Sequence, residues 1–153
     1  EISKRAAGKG LKCSYHPNSP ETSIWRDASD YEKLLPRLDS SVLGWTPDVG
    51  HMALRDMDPA QLMRDYRSII NHVHYKDMHA DKSWALMGEG VVDFKTITKE
   101  LVDTNFEGWI IVEDECERLF VLKTDLNFTR KLSTISSLLL HQKCLFISLL
   151  LLL

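Results

Sequence analysis

Short apolar runs alternate with longer amphipathic stretches from residue 11 to residue 113, and this alternation limits the accessible folds more than any other feature. It is typical of βα units, in which a helix follows each strand of a parallel sheet. Four runs rich in β-branched or aromatic residues are predicted strands, at residues 11–15, 42–46, 72–75 and 109–112. The sequence therefore predicts an α/β fold.

The stretches between these strands predict three helices, each with an aspartate at its N-cap. Asp30 is the expected cap of the first helix and Asp93 that of the third, which Asn105 is expected to close. Asp58 is the expected cap of the second, with Pro59 at the first helical position. These signals predict a helix after each of the first three strands.

The spacing of the strands indicates how many units the chain holds. The predicted strands begin 31, 30 and 37 residues apart, which suits βα units. Four such units are half of an eight-stranded barrel, so the predicted fold is a partial (β/α)8 TIM barrel. A small flavodoxin-like sheet is the alternative, but it needs a glycine-rich phosphate loop, which follows none of these strands.

Charge and cysteine content argue against several classes of protein. The 153 residues carry a net charge of −3 with no stripe of Lys and Arg, so we expect no nucleic-acid partner. Three widely spaced cysteines, Cys13, Cys116 and Cys144, indicate neither a disulfide framework nor a zinc knuckle. The first ten residues lack the apolar segment of a signal peptide. We therefore expect a cytoplasmic protein.

The end of the chain differs from the rest. Residues 119–153 lose the periodic pattern, drift through Ser-, Thr- and Leu-rich sequence and end in five leucines. We expect two segments, a barrel-type domain over residues 1–118 and an unrelated tail over residues 119–153. The apolar stretch at residues 144–153 is well short of the roughly 20 residues that span a bilayer, so no membrane anchor is expected.

Polar residues lie at or just after the end of each predicted strand, where TIM barrels carry their catalytic groups. Because parallel strands end at the same edge, these side chains are expected to form one ring. They are His16, Asp48, His51, His74, Lys76, Asp77, Glu113 and Glu115. A ring of imidazoles and carboxylates without thiolates suits a divalent metal such as Mn²⁺, Co²⁺, Mg²⁺, Fe²⁺ or Zn²⁺.

Each of these residues also has a structural interpretation. A single histidine at a strand end is more often hydrogen-bonded than a metal ligand, and Asp48 can simply begin a turn. Lys76 and Asp77 can form a surface ion pair of little energetic value. The pattern favours chemistry because Gly50 frees the backbone to turn Asp48 and His51 toward one point.

Further positions carry candidate roles. Glu113 ends the apolar strand at residues 109–112, where an unpaired carboxylate is costly, so it needs a metal or a cation. Trp25 and Trp84 lie in loops after strands, where an indole can stack on the apolar face of a sugar or pack on the scaffold. Glu89 lies in a Gly-Glu-Gly turn, which marks either a substrate loop or the entry to the third helix.

Five stretches of the sequence form an ordered set of motifs. They are residues 15–18, 48–51, 72–77, 88–94 and 108–113. Together they resemble the xylose isomerase-like TIM barrel superfamily, in particular its inosose dehydratases and sugar phosphate isomerases and epimerases. The resemblance covers about residues 8–118 and implies the C-terminal half of such a barrel, about its last four βα units. It also implies a metal held by Asp48, His74 and Glu113.

The same resemblance implies a reaction class. In the ketose 3-epimerases of this superfamily, the first of these strands supplies a glutamate that works with the last one as an acid/base pair. His16 stands near that position here, which favours dehydration or aldose–ketose isomerisation. The implied function is that of a metal-dependent isomerase, epimerase or dehydratase acting on a keto-polyol such as inosose through an enediolate. The implied partner is a small sugar or polyol, and a homo-oligomer of the full-length parent stays open.

The resemblance and the strand-end positions together suggest individual roles. His16 is a fourth candidate ligand, and Glu113 is expected to act as ligand, base or both. Either His16 or Lys76 is expected to protonate a leaving hydroxyl. The expected substrate-binding residues are His51, Trp25 and Glu89.

Three alternatives stand beside this enzyme hypothesis. The chain can be an inactive truncated fragment, or a sugar-binding module that has lost turnover. It can also be an endonuclease-type member of the superfamily, which needs several metals and a basic rim. The net acidity of the chain disfavours that third alternative.

Overall fold

The computed structural model describes residues 1–116 and 145–149. Helices and strands alternate through most of this part of the chain. In chain order the elements are α1 (Ile2–Ala7), β1 (Ser14–Tyr15), α2 (Ala28–Leu34), β2 (Gly44–Trp45), α3 (Val49–Leu54), α4 (Pro59–Asp65), β3 (His72–Tyr75), β4 (Asp77–Met78), β5 (Trp84–Ala85), α5 (Phe94–Asp103), β6 (Trp109–Glu113) and β7 (Leu145–Leu149). Short 3-10 helices follow α2 at Leu35–Arg37 and α4 at Arg67–Ile69.

The long-range strand pairings are parallel and follow the order of the chain. β1 pairs with β2, β3 pairs with β6, and β6 pairs with β7. Isolated parallel bridges from Trp45 to Ile70 and from Asp48 to His74 join β2 to β3. The strand ends therefore lie side by side along one edge, as an α/β fold requires.

Two of the predicted strands are shorter than expected. β1 and β2 have two residues each, with Ser14 opposite Gly44 and Tyr15 opposite Trp45. Single backbone hydrogen bonds flank this short pairing, such as that from the Gly44 N–H to the Cys13 carbonyl oxygen at 2.9 Å. β3 and β6 pair over four residues, from His72 opposite Trp109 to Tyr75 opposite Val112.

Aspartates cap the helices α2 to α5, although one cap lies elsewhere than predicted. Asp58 and Asp93 cap α4 and α5 as predicted. The prediction that Asp30 caps α2 was wrong, because Asp27 is the N-cap. The Asp30 carboxylate instead accepts the Asp27 N–H at 3.1 Å, which forms a capping box and adds a turn before Asp30. Asn105 follows α5 with φ of 49°, a left-handed conformation that ends the helix as predicted.

The two faces of the sheet have different surroundings. Val73, Tyr75, Ile110 and Val112 point to the helical side and are buried in the main hydrophobic cluster. His72, His74 and Ile111 alternate with them and are only half-buried. The hydrophobic core therefore lies between the sheet and the helices, and the histidines face away from it. No helix in the described part of the chain is long and apolar enough to cross a membrane.

Two features near the strand ends were not predicted. α3 begins directly after Asp48. β4 and β5 form a small antiparallel hairpin after β3, with Asp77 opposite Ala85.

The predicted boundary at residue 118 lies outside the described residues and stays a prediction. Beyond that boundary, Leu145–Leu149 forms β7 and extends the sheet beside β6.

Candidate metal centre

Four polar side chains converge where neighbouring strands end. Ligand atoms of His16, Asp48, His74 and Glu113 all lie within 4.8 Å of one another. His16 follows β1, Asp48 follows β2, His74 lies in β3, and Glu113 ends β6. The structure thus brings together the four residues that the sequence analysis named as metal ligands. Their ligand role itself stays a prediction.

Asp48 is completely buried, and its two carboxylate oxygens differ. Oδ1 accepts the His51 backbone N–H at 2.9 Å and so caps α3. Oδ2 has no hydrogen-bond partner among the described residues, and neither does the His16 Nε2 atom 3.5 Å away. A buried polar atom without a partner costs about 1–3 kcal/mol. The donor set therefore fits a divalent cation, which would satisfy both atoms.

His74 and Glu113 form a pair within this cluster. The His74 Nδ1–H donates to Glu113 Oε2 at 2.7 Å, so Nε2 of the neutral ring carries the free lone pair. This hydrogen bond outweighs burial and, helped by the Lys76 ammonium, holds the pKa of Glu113 at about 2. Glu113 is therefore ionised at neutral pH, as a metal ligand must be.

Lys76 lies beneath the cluster, and its side chain is 1% exposed. Its Nζ is 3.1 Å from Glu113 Oε1 and 2.8 Å from Glu115 Oε1. It also lies 3.4 Å from His51 Nε2 and 4.6 Å from the centre of the Trp84 ring. The surface ion pair weighed for Lys76 is therefore wrong, because the ammonium is buried among acceptors.

Asp77 has a different structural role from its neighbour Lys76. Its carboxylate is buried and accepts four backbone N–H groups at 2.8 to 3.2 Å. The donors are Met78, Gly88, Gly90 and Val92. Asp77 therefore fixes the loop that runs from the hairpin to α5, and it is not half of a surface ion pair.

Gly50 acts through its size and not through backbone freedom, which corrects the expectation from sequence. It lies inside α3, and its φ is not in the left-handed region. A Cβ at this position would meet both the Lys76 Cβ and the Lys76 carbonyl oxygen at 2.8 Å. Glycine therefore lets α3 pack against the end of β3, which brings His51 to the cluster.

The three predicted substrate-binding residues have different positions. His51 adjoins the cluster, with Nε2 4.0 Å from Asp48 Oδ2, and burial lowers the pKa of the His51 ring. Trp25 is half-buried in the loop after β1, and Glu89 is exposed on the loop that Asp77 holds. Within the described residues, neither Trp25 nor Glu89 supplies an atom to the cluster. Their substrate roles stay predictions.

Two buried polar residues near the cluster were missed from sequence. Ser19 Oγ lies 2.6 Å from His51 Nδ1, a contact across 32 residues of chain that no local pattern signals. Asp114 follows Glu113 directly, and burial raises the pKa of its carboxyl to about 6. Its position at the end of β6 was the available signal, since strand ends carry the polar groups of this fold.

The fold and the cluster agree with the comparison to known families. The family model of xylose isomerase-like TIM barrels matches residues 1–132. The chain therefore belongs to the xylose isomerase-like TIM barrel family. This confirms the predicted resemblance, while the assignment to the last four units stays a prediction.

Comparison of the chain with single proteins gives further similarities. The chain is 30% identical over 133 residues to an inosose dehydratase of Clostridium beijerinckii, an alignment that spans 75% of this chain and 44% of that protein. An E. coli 3-keto-D-glucoside 4-epimerase structure has a TM-score of 0.66 at 19% identity, over 89% of this chain and 49% of that one. A probable 3-DHS dehydratase from Bacillus anthracis has the same TM-score at 16% identity, over 93% and 53%. The chain thus spans about half the length of these relatives.

Proposed function

We propose that the cluster binds a divalent metal and that the chain acts on a keto-polyol such as inosose, as an isomerase, epimerase or dehydratase. The convergence of His16, Asp48, His74 and Glu113 carries this proposal. The unpartnered Asp48 Oδ2 supports it, because a cation would satisfy that oxygen. The similarity to inosose dehydratases supports dehydration among the three reactions.

The donor atoms support a hard-to-borderline divalent metal. Two imidazoles and two carboxylates suit Mn²⁺, Co²⁺, Mg²⁺, Fe²⁺ or Zn²⁺. When bound, such an ion supplies charge that polarises a substrate carbonyl and stabilises an enediolate. The four side chains would hold it at the edge of the sheet, where a small polyol can reach it.

Glu113 is better suited to hold the metal than to move a proton. A general base works best when its pKa is near the operating pH, whereas the pKa of Glu113 is about 2. Its oxygens are also engaged by His74 and Lys76. We therefore assign Glu113 the ligand role.

His16 is better placed than Lys76 to give a proton to a leaving hydroxyl. The His16 side chain is 30% exposed, whereas that of Lys76 is 1% exposed. In a dehydration, a base takes the proton from the carbon beside the carbonyl, and the hydroxyl on the next carbon leaves as water with the proton from His16. Replacing His16 by Gln separates its two proposed roles: loss of metal binding assigns it as a ligand, and loss of turnover alone assigns it as the acid.

The second candidate function is sugar binding without turnover. The observation that favours it is that both Glu113 oxygens are already engaged by His74 and Lys76, which leaves the base of an elimination unassigned. A polyol that binds the metal-loaded chain without being converted would support this alternative.

The test of the proposed activity is turnover of keto-inositols by the full chain loaded with Mn²⁺ or Co²⁺. Asp48→Asn is the critical variant, and Asp58→Asn is its matched control. Both aspartates cap a helix through a backbone N–H, at 2.9 Å and 3.1 Å, but only Asp48 belongs to the cluster. We expect Asp48→Asn to abolish turnover and Asp58→Asn to retain it. Equal activity in the two variants would contradict the proposal.

A further inference from the structure

Ser19 and His51 form a buried contact that the proposed chemistry does not yet use. The Ser19 Oγ atom lies 2.6 Å from His51 Nδ1, and both residues are 4% exposed. Ser19 belongs to the loop after β1, and His51 belongs to α3. The contact therefore ties that loop to the helix that carries His51.

A second contact fixes Ser19 through its backbone. Arg55 lies one helical turn beyond His51, and its Nε donates to the Ser19 carbonyl oxygen at 3.2 Å. A second guanidinium nitrogen of Arg55 donates to the same oxygen. Asp27 holds the guanidinium in turn, with an oxygen 3.8 Å from Nε. His51 in α3 and Arg55 at its C-cap thus hold both the hydroxyl and the carbonyl of Ser19.

The opposite nitrogen of the His51 ring faces a cation. Lys76 Nζ lies 3.4 Å from His51 Nε2 and is held there by Glu113 and Glu115. An ammonium group can only donate, so Nε2 must accept. A ring protonated at Nε2 would set its N–H against this ammonium. The proton therefore belongs on Nδ1, from which it is donated to Ser19 Oγ.

We propose that Ser19 and Lys76 are positioning residues that hold His51 as the neutral Nδ1–H tautomer. Its Nε2 lone pair then points to the side of the ring where Asp48 Oδ2 lies, 4.0 Å away. A ring fixed in this way accepts a hydrogen bond and cannot donate one from Nε2, so it recognises the O–H of a polyol. At 3.4 Å the Lys76 contact is long, and a substrate hydroxyl at a shorter distance takes over the lone pair.

The inference rests on the proposed function only where it makes His51 a substrate contact. The tautomer itself is a property of the metal-free chain. It can be read from the ¹⁵N shifts of the full chain labelled with ¹⁵N-histidine, because protonated and unprotonated ring nitrogens resonate far apart. We expect the wild-type spectrum to show His51 protonated at Nδ1 and unprotonated at Nε2.

Variants identify the residues that select this form. In Lys76→Met we expect both tautomers to be populated, because the group that can only donate to Nε2 is gone. In Ser19→Ala we expect Nδ1 to stay protonated and its ¹⁵N shift to move, because its N–H loses the acceptor. Ser19→Thr keeps a hydroxyl and should keep the wild-type Nδ1 shift. Ser41→Ala and Lys82→Met are controls, since both residues are exposed and pair with Asp39 and Asp56. Neither control should alter the His51 signals.

Two results would overturn the inference. One is a wild-type His51 protonated at Nε2, and the other is a Ser19→Ala spectrum in which the His51 nitrogens are unchanged. Neither readout depends on a metal or on turnover. A chain that shows the expected tautomer but converts no polyol would contradict the proposed function alone.

Discussion

At the scale of single residues, Lys76 joins two carboxylates that differ in burial. The Glu113 side chain is 8% exposed, whereas that of Glu115 is 37% exposed. In metal-free protein we expect Glu113→Gln to lower the free energy of unfolding by about 3 kcal/mol, because it removes a buried charge partner. Glu115→Gln should lower it by less than about 1 kcal/mol, because that pair is screened by water. Urea denaturation measures both, and equal losses would contradict the burial argument.

Asp114 gives the protein a stability that depends on pH. Burial raises the pKa of its carboxyl from 3.8 to about 6, so the folded state holds the proton more tightly than the unfolded state. Its contribution to stability is full below about pH 4 and falls as the pH rises toward 6. Asp114→Asn should therefore raise the melting temperature at pH 8 by roughly 3–6 °C and leave it unchanged at pH 4. Thermal unfolding with EDTA tests this, and a gain at pH 4 alone would contradict it.

The βα pattern reveals where strands end and so predicted a ring of eight polar residues, among which the family resemblance singled out Asp48, His74 and Glu113. His16, Asp48, His74 and Glu113 all stand at such positions, and parallel strands bring their ends together. Ser19 could not be predicted, because its contact with His51 is set by the path of a loop and not by any spacing. The sequence also did not show whether the Lys76 side chain is buried or exposed.

At the scale of elements, the loop held by Asp77 depends on a glycine. A Cβ at Gly90 would lie 2.2 Å from both Asp77 Oδ1 and the Met78 carbonyl oxygen. Gly90→Ala should therefore destabilise the protein by about 2 kcal/mol, because backbone must move to admit the methyl group. Gly8→Ala is the control, since its nearest contacts are at 3.6 Å and its φ is −62°. Chemical denaturation compares the two, and equal stabilities would contradict the steric argument.

Helix starts were predictable where the sequence singled out one aspartate before the apolar stripe, either by its isolation or by a proline directly after it. Asp58 and Asp93 met this condition. In α2 two aspartates compete, and the capping box places the start at Asp27 with Asp30 as the third helical residue. α3 escaped prediction because it has six residues and contains Gly50, so it offers no helical periodicity.

At the scale of the whole molecule, the cluster lies where four neighbouring strands end. The chain covers 44% of the Clostridium beijerinckii inosose dehydratase, and the cluster is formed at β1, β2, β3 and β6 as successive neighbours. The regular spacing of the strands predicted that these four strands lie side by side. β7 was not predicted, because five mostly apolar residues do not distinguish a strand from a helix.

The central claim is that His16, Asp48, His74 and Glu113 bind a divalent metal in this chain. The most direct test is the metal content of the full chain after incubation with Mn²⁺ and removal of free ions. The account predicts a single bound ion per chain in the wild type and in Asp58→Asn, and almost none in Asp48→Asn. A wild type without metal, or an Asp48→Asn variant that retains it, would contradict the claim.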